Sequence, residues 1–252
     1  MQPRKPRGIP EGGRFAPSSR PKPTRQPSAP IGSSPPVVEE EVLETLHRLA
    51  ASELAKRFYL AGGTALALQI GHRQSNDLDY FVDGDRLDRT FLRVADRVLS
   101  ADGQVETVLD EPGQIDVVVG PRRRKVSFIA YPFPLRRPKV VIEGQPCADV
   151  LEIAAMKAYA LGRRGAARDY VDIEAVISKA GISLDEIVSS AKARFVLEGE
   201  SVFSERMLLQ QLVYTEDLED VNDLALFDTS FDEVKRSLRT IVGDYVRRAT
   251  ST

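Results

Sequence analysis

Phe58-Tyr59-Leu60-Ala61-Gly62-Gly63-Thr64 and, one short helix later, Asp77-Leu78-Asp79-Tyr80-Phe81-Val82 decide how this chain is read. The apolar run Phe58–Leu60 meets two glycines, the pattern of a short buried strand running into a tight turn. Residues 64–70 favour a helix, and Gly71 is placed to end it. Leu78–Val82 reads as a second strand with Asp77 and Asp79 at its entrance. Residues two apart on a strand share a face, so both carboxylates point the same way. Side by side they repel, and each resists ionising alone. A divalent cation between them removes that cost. Mg²⁺ typically takes one or two carboxylates together with substrate phosphates, and Mn²⁺ suits the same oxygen donors. Gly62 and Gly63 let backbone N–H groups approach a phosphate, and the helix N-terminus at Thr64 favours negative charge. Arg73 and Ser75, between helix and strand, are placed for phosphate as well. His72 has no Cys or His cluster around it, so it reads as a hydrogen-bonded loop histidine and not a zinc ligand.

Outward from this stretch, Leu43, Leu46, Leu49 and Leu54 recur at helical spacing within 39–57, and Leu87, Phe91, Val94 and Val98 within 86–100. Residues 105–109, 115–119 and 126–131 are strand-like runs separated by Glu-Pro-Gly and Gly-Pro turn signals. Asp149 and Glu152 read as a capping box opening a helix to about Leu161. Further helices are expected from about Arg168 to Lys179, then over 184–195, 204–214 and 231–248. Strands and helices alternating in this way predict an α+β (α/β-like) core with a mixed sheet at 38–148, followed by an α-helical C-terminal domain at 149–252.

Charge is spread unevenly. The whole chain has 35 basic and 37 acidic residues, but residues 1–37 hold seven Lys/Arg against one acid, Glu11, and ten of the sixteen prolines. That composition cannot bury enough apolar surface to offset its ordering entropy, so 1–37 reads as a disordered basic, Pro-rich tail. The remaining 28 basic and 36 acidic residues leave the folded part at −8, with no global attraction for nucleic acid. Arg122-Arg123-Arg124-Lys125 is either a local RNA-phosphate patch or a solvated hairpin tip. The acid-rich stretch 181–233 reads as solvated surface. The single Cys147 excludes an intrachain disulfide, and no apolar run approaches membrane-spanning length, so a cytoplasmic protein is expected.

A second block carries chemistry: Lys157-Ala158-Tyr159-Ala160-Leu161-Gly162-Arg163-Arg164-Gly165-Ala166-Ala167-Arg168-Asp169-Tyr170-Val171-Asp172. Lys157 and Arg164 lie seven residues apart, which on an unbroken helix puts both on one face to hold triphosphate oxygens. Arg168 and Asp169 read either as an orienting ion pair or with Asp169 as the base toward an acceptor hydroxyl. Asp172, one turn on, reads as packing support. Gly-Gly-Thr, a short helix, Gly-His-Arg-x-Ser and Asp-Leu-Asp, followed by this block, resemble the nucleotidyltransferases of the DNA polymerase β superfamily. Within it they are most similar to the AbiEii/AbiGii toxins of abortive-infection and type IV-like toxin–antitoxin systems, over about 58–177, with a fainter echo at 208–220.

The resemblance implies a Mg²⁺-dependent transfer of a nucleotide from an NTP to an acceptor such as tRNA or a protein, and a cognate antitoxin. It implies metal ligation by Asp77 and Asp79 and catalysis by these with Lys157 and Asp169. Nucleotide binding falls to Gly62, Gly63, Thr64, Arg73, Ser75, Arg164 and Arg168. Such enzymes usually carry a third carboxylate on a later strand. Ser127 stands at that position, with Asp116 as the alternative if its strand adjoins the first two acids. The serine suggests one other reading, a nucleotide-binding module without turnover; the acidic helical domain and basic tail suggest another, a protein-interaction scaffold. Deleting residues 1–37 is expected to leave the melting temperature and NTP affinity unchanged, since a disordered segment adds no core; a large fall in melting temperature would refute that reading.

Overall fold

A computed structural model describes residues 36–163, 165–215, 218, 226 and 229–250. Most of the tail, Arg164 and residues 216, 217, 219 and 220 of the echo at 208–220 therefore lie outside the described residues. Val37, counted with the tail by composition, accepts a hydrogen bond from Ser75 N–H (2.9 Å).

The chain opens with helices α1 (Glu40–Ala50) and α2 (Leu54–Arg57), followed by strand β1 (Tyr59–Ala61), helix α3 (Gly62–Ile70) and strand β2 (Leu78–Asp83). Helix α4 (Leu92–Leu99) leads to β3 (Val105–Glu111), β4 (Gln114–Val119), β5 (Arg124–Tyr131) and the short strands β6 (Val140–Ile142) and β7 (Gln145–Cys147). Helices α5 (Val150–Leu161), α6 (Ala167–Ser178) and α7 (Leu184–Arg194), hairpin strands β8 (Val196–Leu197) and β9 (Glu200–Ser201), and helices α8 (Glu205–Val213) and α9 (Phe231–Thr250) complete it. No described helix is long and apolar enough to cross a membrane.

The large sheet runs β3-β4-β5-β2-β1-β7-β6 and is mixed: β2 lies parallel to β5 and antiparallel to β1. Alternation sorts its residues into two faces. Tyr80 and Phe128 turn to one side, where Phe128 is ringed by Phe58, Phe91 and Tyr80 at centroid distances of 5.3, 4.8 and 5.8 Å. Phe81 and Tyr131 turn to the other, and from Tyr131 an aromatic chain continues through Phe133 to Phe195 and Tyr159. This second face also carries Asp79 and Ser127, so the sheet positions the candidate site. A continuous apolar core extends from the sheet into the helices after Cys147.

The structure departs from the sequence-based expectations in four places. The helix expected over 86–100 shrinks to α4 between two 3₁₀ turns, because Asp88 stays extended and accepts from Thr90 N–H (3.0 Å), which stops the helix reaching back. Strands β6 and β7 give little sequence signal, being three residues each with Pro146 among them. The basic run 122–125 is a hairpin tip with Arg122 and Arg123 exposed, as one of its two readings has it, but its charges are paired instead of forming an open RNA patch. Arg122 pairs with Glu39 (3.1 Å), Arg123 with Glu106 (2.7 Å), Arg124 with Glu41 (2.6 Å) and Lys125 with Asp116 (2.9 Å).

The expected capping box at α5 is half formed. Asp149 accepts from Glu152 N–H (2.8 Å), but the Glu152 carboxylate accepts from Arg136 and Arg137 N–H (2.9 Å each) and pairs with Arg194 (2.6 Å). Arg194, with its side chain fully buried, also donates to the carbonyls of Glu152 and Phe133 (3.2 Å each). It thereby ties the end of α7 to α5 and to the chain leaving β5. A buried pair adds little net stability over an apolar substitute, but removing one partner strands a charge. Arg194→Met is expected to cost about 3–5 kcal/mol in urea unfolding, and the double variant E152Q/R194M less than the sum of its singles; strict additivity would refute the coupling.

Candidate functional site

The site is assembled where β1 turns into α3. Gly62 has φ +73°, a left-handed conformation that suits glycine, and a Cβ there would stand 2.5 Å from Asp79 Oδ2. A Cβ on Gly63 would collide with the Arg73 guanidinium and lie 3.0 Å from Ser75 Oγ. The two glycines thus press the backbone against the carboxylate on one side and the arginine on the other. Ala61 provides no side-chain cap, so the first N–H groups of α3 have no cap from it, and this end faces the Asp79 strand. Thr64 is completely buried. Its hydroxyl donates to the Asp77 carbonyl (2.5 Å) and lies 2.9 Å from the Ser75 hydroxyl. Thr64 and Ser75 therefore hold Asp77 in place.

Asp77 precedes β2 and Asp79 lies within it, in register with Ala61 of β1 and Ser127 of β5. Burial, and next the neighbouring Asp77, push the Asp79 carboxyl above the ordinary carboxylate range; Lys125, Lys157 and Arg168 pull it back. The fold thus gathers around Asp79 three cations from β5, α5 and α6.

Beneath them lies an ionic cluster. Lys157 Nζ, from α5, contacts Asp169 Oδ1 (2.6 Å) and Asp172 Oδ2 (2.8 Å), two residues three apart on one face of α6. Asp172 is fully buried and also accepts from Arg73 Nε (2.6 Å), Arg73 Nη2 (3.1 Å) and His72 Nε2 (2.7 Å). Burial alone would raise the Asp172 carboxyl, but Lys157, then Arg73, then the His72 hydrogen bond overturn this and hold it well below the usual range. The same carboxylates outweigh burial at Lys157 and Arg73 and raise both.

Several expectations change. Asp169 pairs with Lys157 instead of Arg168, which is exposed. Arg73 is committed to Asp172 instead of being open to phosphate, and Asp172 is the hub of the cluster. Helix α5 ends at Leu161, so the one-face argument for Lys157 and Arg164 does not apply, and Arg164 lies outside the described residues. The strand of Asp116 does not adjoin that of Asp79: β5 runs between them. His72 is a hydrogen-bonded loop histidine, as its sequence context suggests. Sequence reading missed Lys125 as a site residue, because it sat in a charge run. Its position two before Ser127 on one strand is the signal that places it on the Asp79 face.

Among the described residues, no three His, Cys, Asp or Glu side chains gather as a metal site. Asp77 and Asp79 alone fit a Mg²⁺ ion that keeps its waters and takes its other ligands from a bound phosphate.

A mixed sheet in which β1, α3 and β2 bring two acids beneath a helix N-terminus defines the polymerase β-type nucleotidyltransferase fold, here followed by a helical C-terminal part. Residues 44–244 match the nucleotidyl transferase AbiEii toxin family of type IV toxin–antitoxin systems, and the chain belongs to that family of nucleotidyltransferases. It is 29% identical over 182 residues to an uncharacterized protein of Aquifex aeolicus, covering 71% of this chain and 84% of that one. Among solved structures it is similar to JHP933 from Helicobacter pylori (TM-score 0.53, 20% identity, 85% of this chain and 97% of that one). It is also similar to MenT4, a nucleotidyltransferase toxin from Mycobacterium tuberculosis (TM-score 0.54, 17% identity, 81% and 82%).

The Asp172 cluster sets an acid limit on stability. A carboxyl held below its unfolded value stabilises fully above about pH 4 and loses that contribution as pH falls through its lowered folded value. Asp172→Asn is expected to cost about 3–5 kcal/mol at neutral pH and to flatten the fall in stability below about pH 4. Urea unfolding from pH 2 to 7 checks this, and parallel wild-type and variant profiles would refute it.

Proposed function

We propose that the chain transfers a nucleotidyl group from an NTP to a hydroxyl acceptor in a Mg²⁺-dependent reaction, as the toxin partner of a cognate antitoxin in the cytoplasm. The observation that carries the reading is the convergence of Asp77, Asp79, the α3 N-terminus and Lys157 on one face. In this reaction the acceptor oxygen bonds to the α-phosphorus while the α–β phosphoanhydride bond breaks and pyrophosphate leaves. Mg²⁺ on Asp77 and Asp79 would supply charge neutralisation on the phosphates. The cradle of Gly62, Gly63 and the first N–H groups of α3 orients the triphosphate, whose charge the helix end favours. Lys157 and Arg168 offset charge developing on the phosphate oxygens, as phosphoryl chemistry chiefly needs positioning and electrostatics. Asp169, held by Lys157, is the carboxylate assigned to receive the acceptor proton. The family and the MenT4 likeness support a nucleotide substrate, and we take a tRNA 3′ end as the first acceptor to test.

Removing one preorganised electrostatic group typically costs about 10²–10³ in rate. Asp79→Asn is therefore expected to cut transfer by about that factor, with partial recovery in Mn²⁺ and an undiminished melting temperature, since a like-charge repulsion is relieved. Lys157→Ala should lose as much rate without Mn²⁺ recovery. It should also melt earlier, because it strands Asp169 and Asp172. Label transfer from each NTP to tRNA, with melting curves alongside, decides the matter. Normal transfer in both variants would sink the assignment; NTP binding without transfer in wild type would favour the binding module that Ser127 suggests.

A further inference from the structure

One row of the sheet joins three strands: Asp79 of β2 is in register with Ser127 of β5, which is in register with Asp116 of β4. Ser127 Oγ is buried and has no hydrogen-bond partner, so the middle of the row holds a neutral hydroxyl that its own surroundings leave unsatisfied. Asp116 cannot replace a carboxylate there. Its Oδ1 accepts from Gln114 Nε2 (2.9 Å) and its Oδ2 is paired with Lys125 Nζ (2.9 Å), its side chain being only 6% exposed. Freeing it would break both contacts inside the protein.

Lys125 itself lies on the same face as Ser127, two residues earlier. It directly precedes Val126, which is in register with Leu78, the first residue of β2 and the one that follows Asp77. Its side chain remains 23% exposed and its charge acts on Asp79. The row thus lacks the acid for a second ion and carries an ammonium group beside the first.

We infer that Lys125 is a substrate-binding residue of the proposed nucleotidyl-transfer site, a fixed cation for triphosphate oxygens, and that the site holds one divalent ion on Asp77 and Asp79 instead of two. The inference rests on the proposed function. Lys125 is held by Asp116, which Gln114 anchors in turn. A Lys ammonium on phosphate acts as a point charge that needs no further ligand.

The test counts Mn²⁺ ions per full-length chain by electron paramagnetic resonance in the presence of nonhydrolysable α,β-methylene analogues of the four NTPs. Analogue affinity comes from calorimetry and folding from melting curves. Wild type is expected to bind one Mn²⁺ and Ser127→Asp two. Lys125→Met is expected to keep one Mn²⁺ while binding the analogue about 10–100-fold more weakly, the range for a charge-assisted hydrogen bond, and Lys125→Arg to recover most of that loss. Should Lys125→Met not fold, Lys125→Gln, which retains a donor for Asp116, reads the same difference. Two Mn²⁺ in wild type, one in Ser127→Asp, or unchanged analogue affinity in Lys125→Met would each overturn the inference. Asp79→Asn separates the two readings. If it binds Mn²⁺ and analogue like wild type, the nucleotidyl-transfer site itself is misplaced; if it alone loses both, only the role of Lys125 falls.

Discussion

The ion cluster centred on Asp172 is the constraint on which the site depends. A carboxylate with no solvent exposure is costly unless every lone pair is used, and here His72 and Arg73 of the loop after α3 and Lys157 of α5 use them. Both segments shape the site directly. Arg73, drawn inward to Asp172, lies against Gly63 and so limits how the chain can leave α3. Lys157, drawn to Asp169 and Asp172, fixes the face that α5 presents to α6. The cluster therefore couples the glycine turn at 62–63 to the helical part of the molecule.

A second constraint is the repulsion between Asp77 and Asp79. The fold tolerates it by placing Lys125, Lys157 and Arg168 within electrostatic reach and by fastening the Asp77 backbone through Thr64. An enzyme acting on a polyanion needs both parts: acids that hold a metal, and cations that remain when the metal's charge is spent on phosphate. The overall negative charge of the folded part does not conflict with this, because the basic run 122–125 is already paired with acids of α1, β3 and β4.

Much of the frame was legible because it rests on local rules. The strand–turn–helix at 59–70 follows from an apolar run, two glycines and Gly71, which ends α3 at φ +61°. The helical C-terminal part follows from apolar spacing and caps. What failed did so where a side chain found a distant partner. Glu152 satisfied a local capping pattern yet spent its carboxylate on Arg194, 42 residues away. Arg73 and Arg168 had equal claims to phosphate by sequence, and Asp172, 99 residues from Arg73, took one of them.

The sequence by itself determined the class of fold, the pair of acids at a strand entrance and the glycine turn beside them, since each depends on residues within a few positions of one another. Only the tertiary structure decided which charges are spent and which stay available. Asp172 became a hub, Asp169 the partner of Lys157, and Lys125 a cation whose charge acts on Asp79, all through pairings that the assembled strands and helices set. The physical reason is that strand register and burial set charge partners, and both are properties of the assembled sheet and helices.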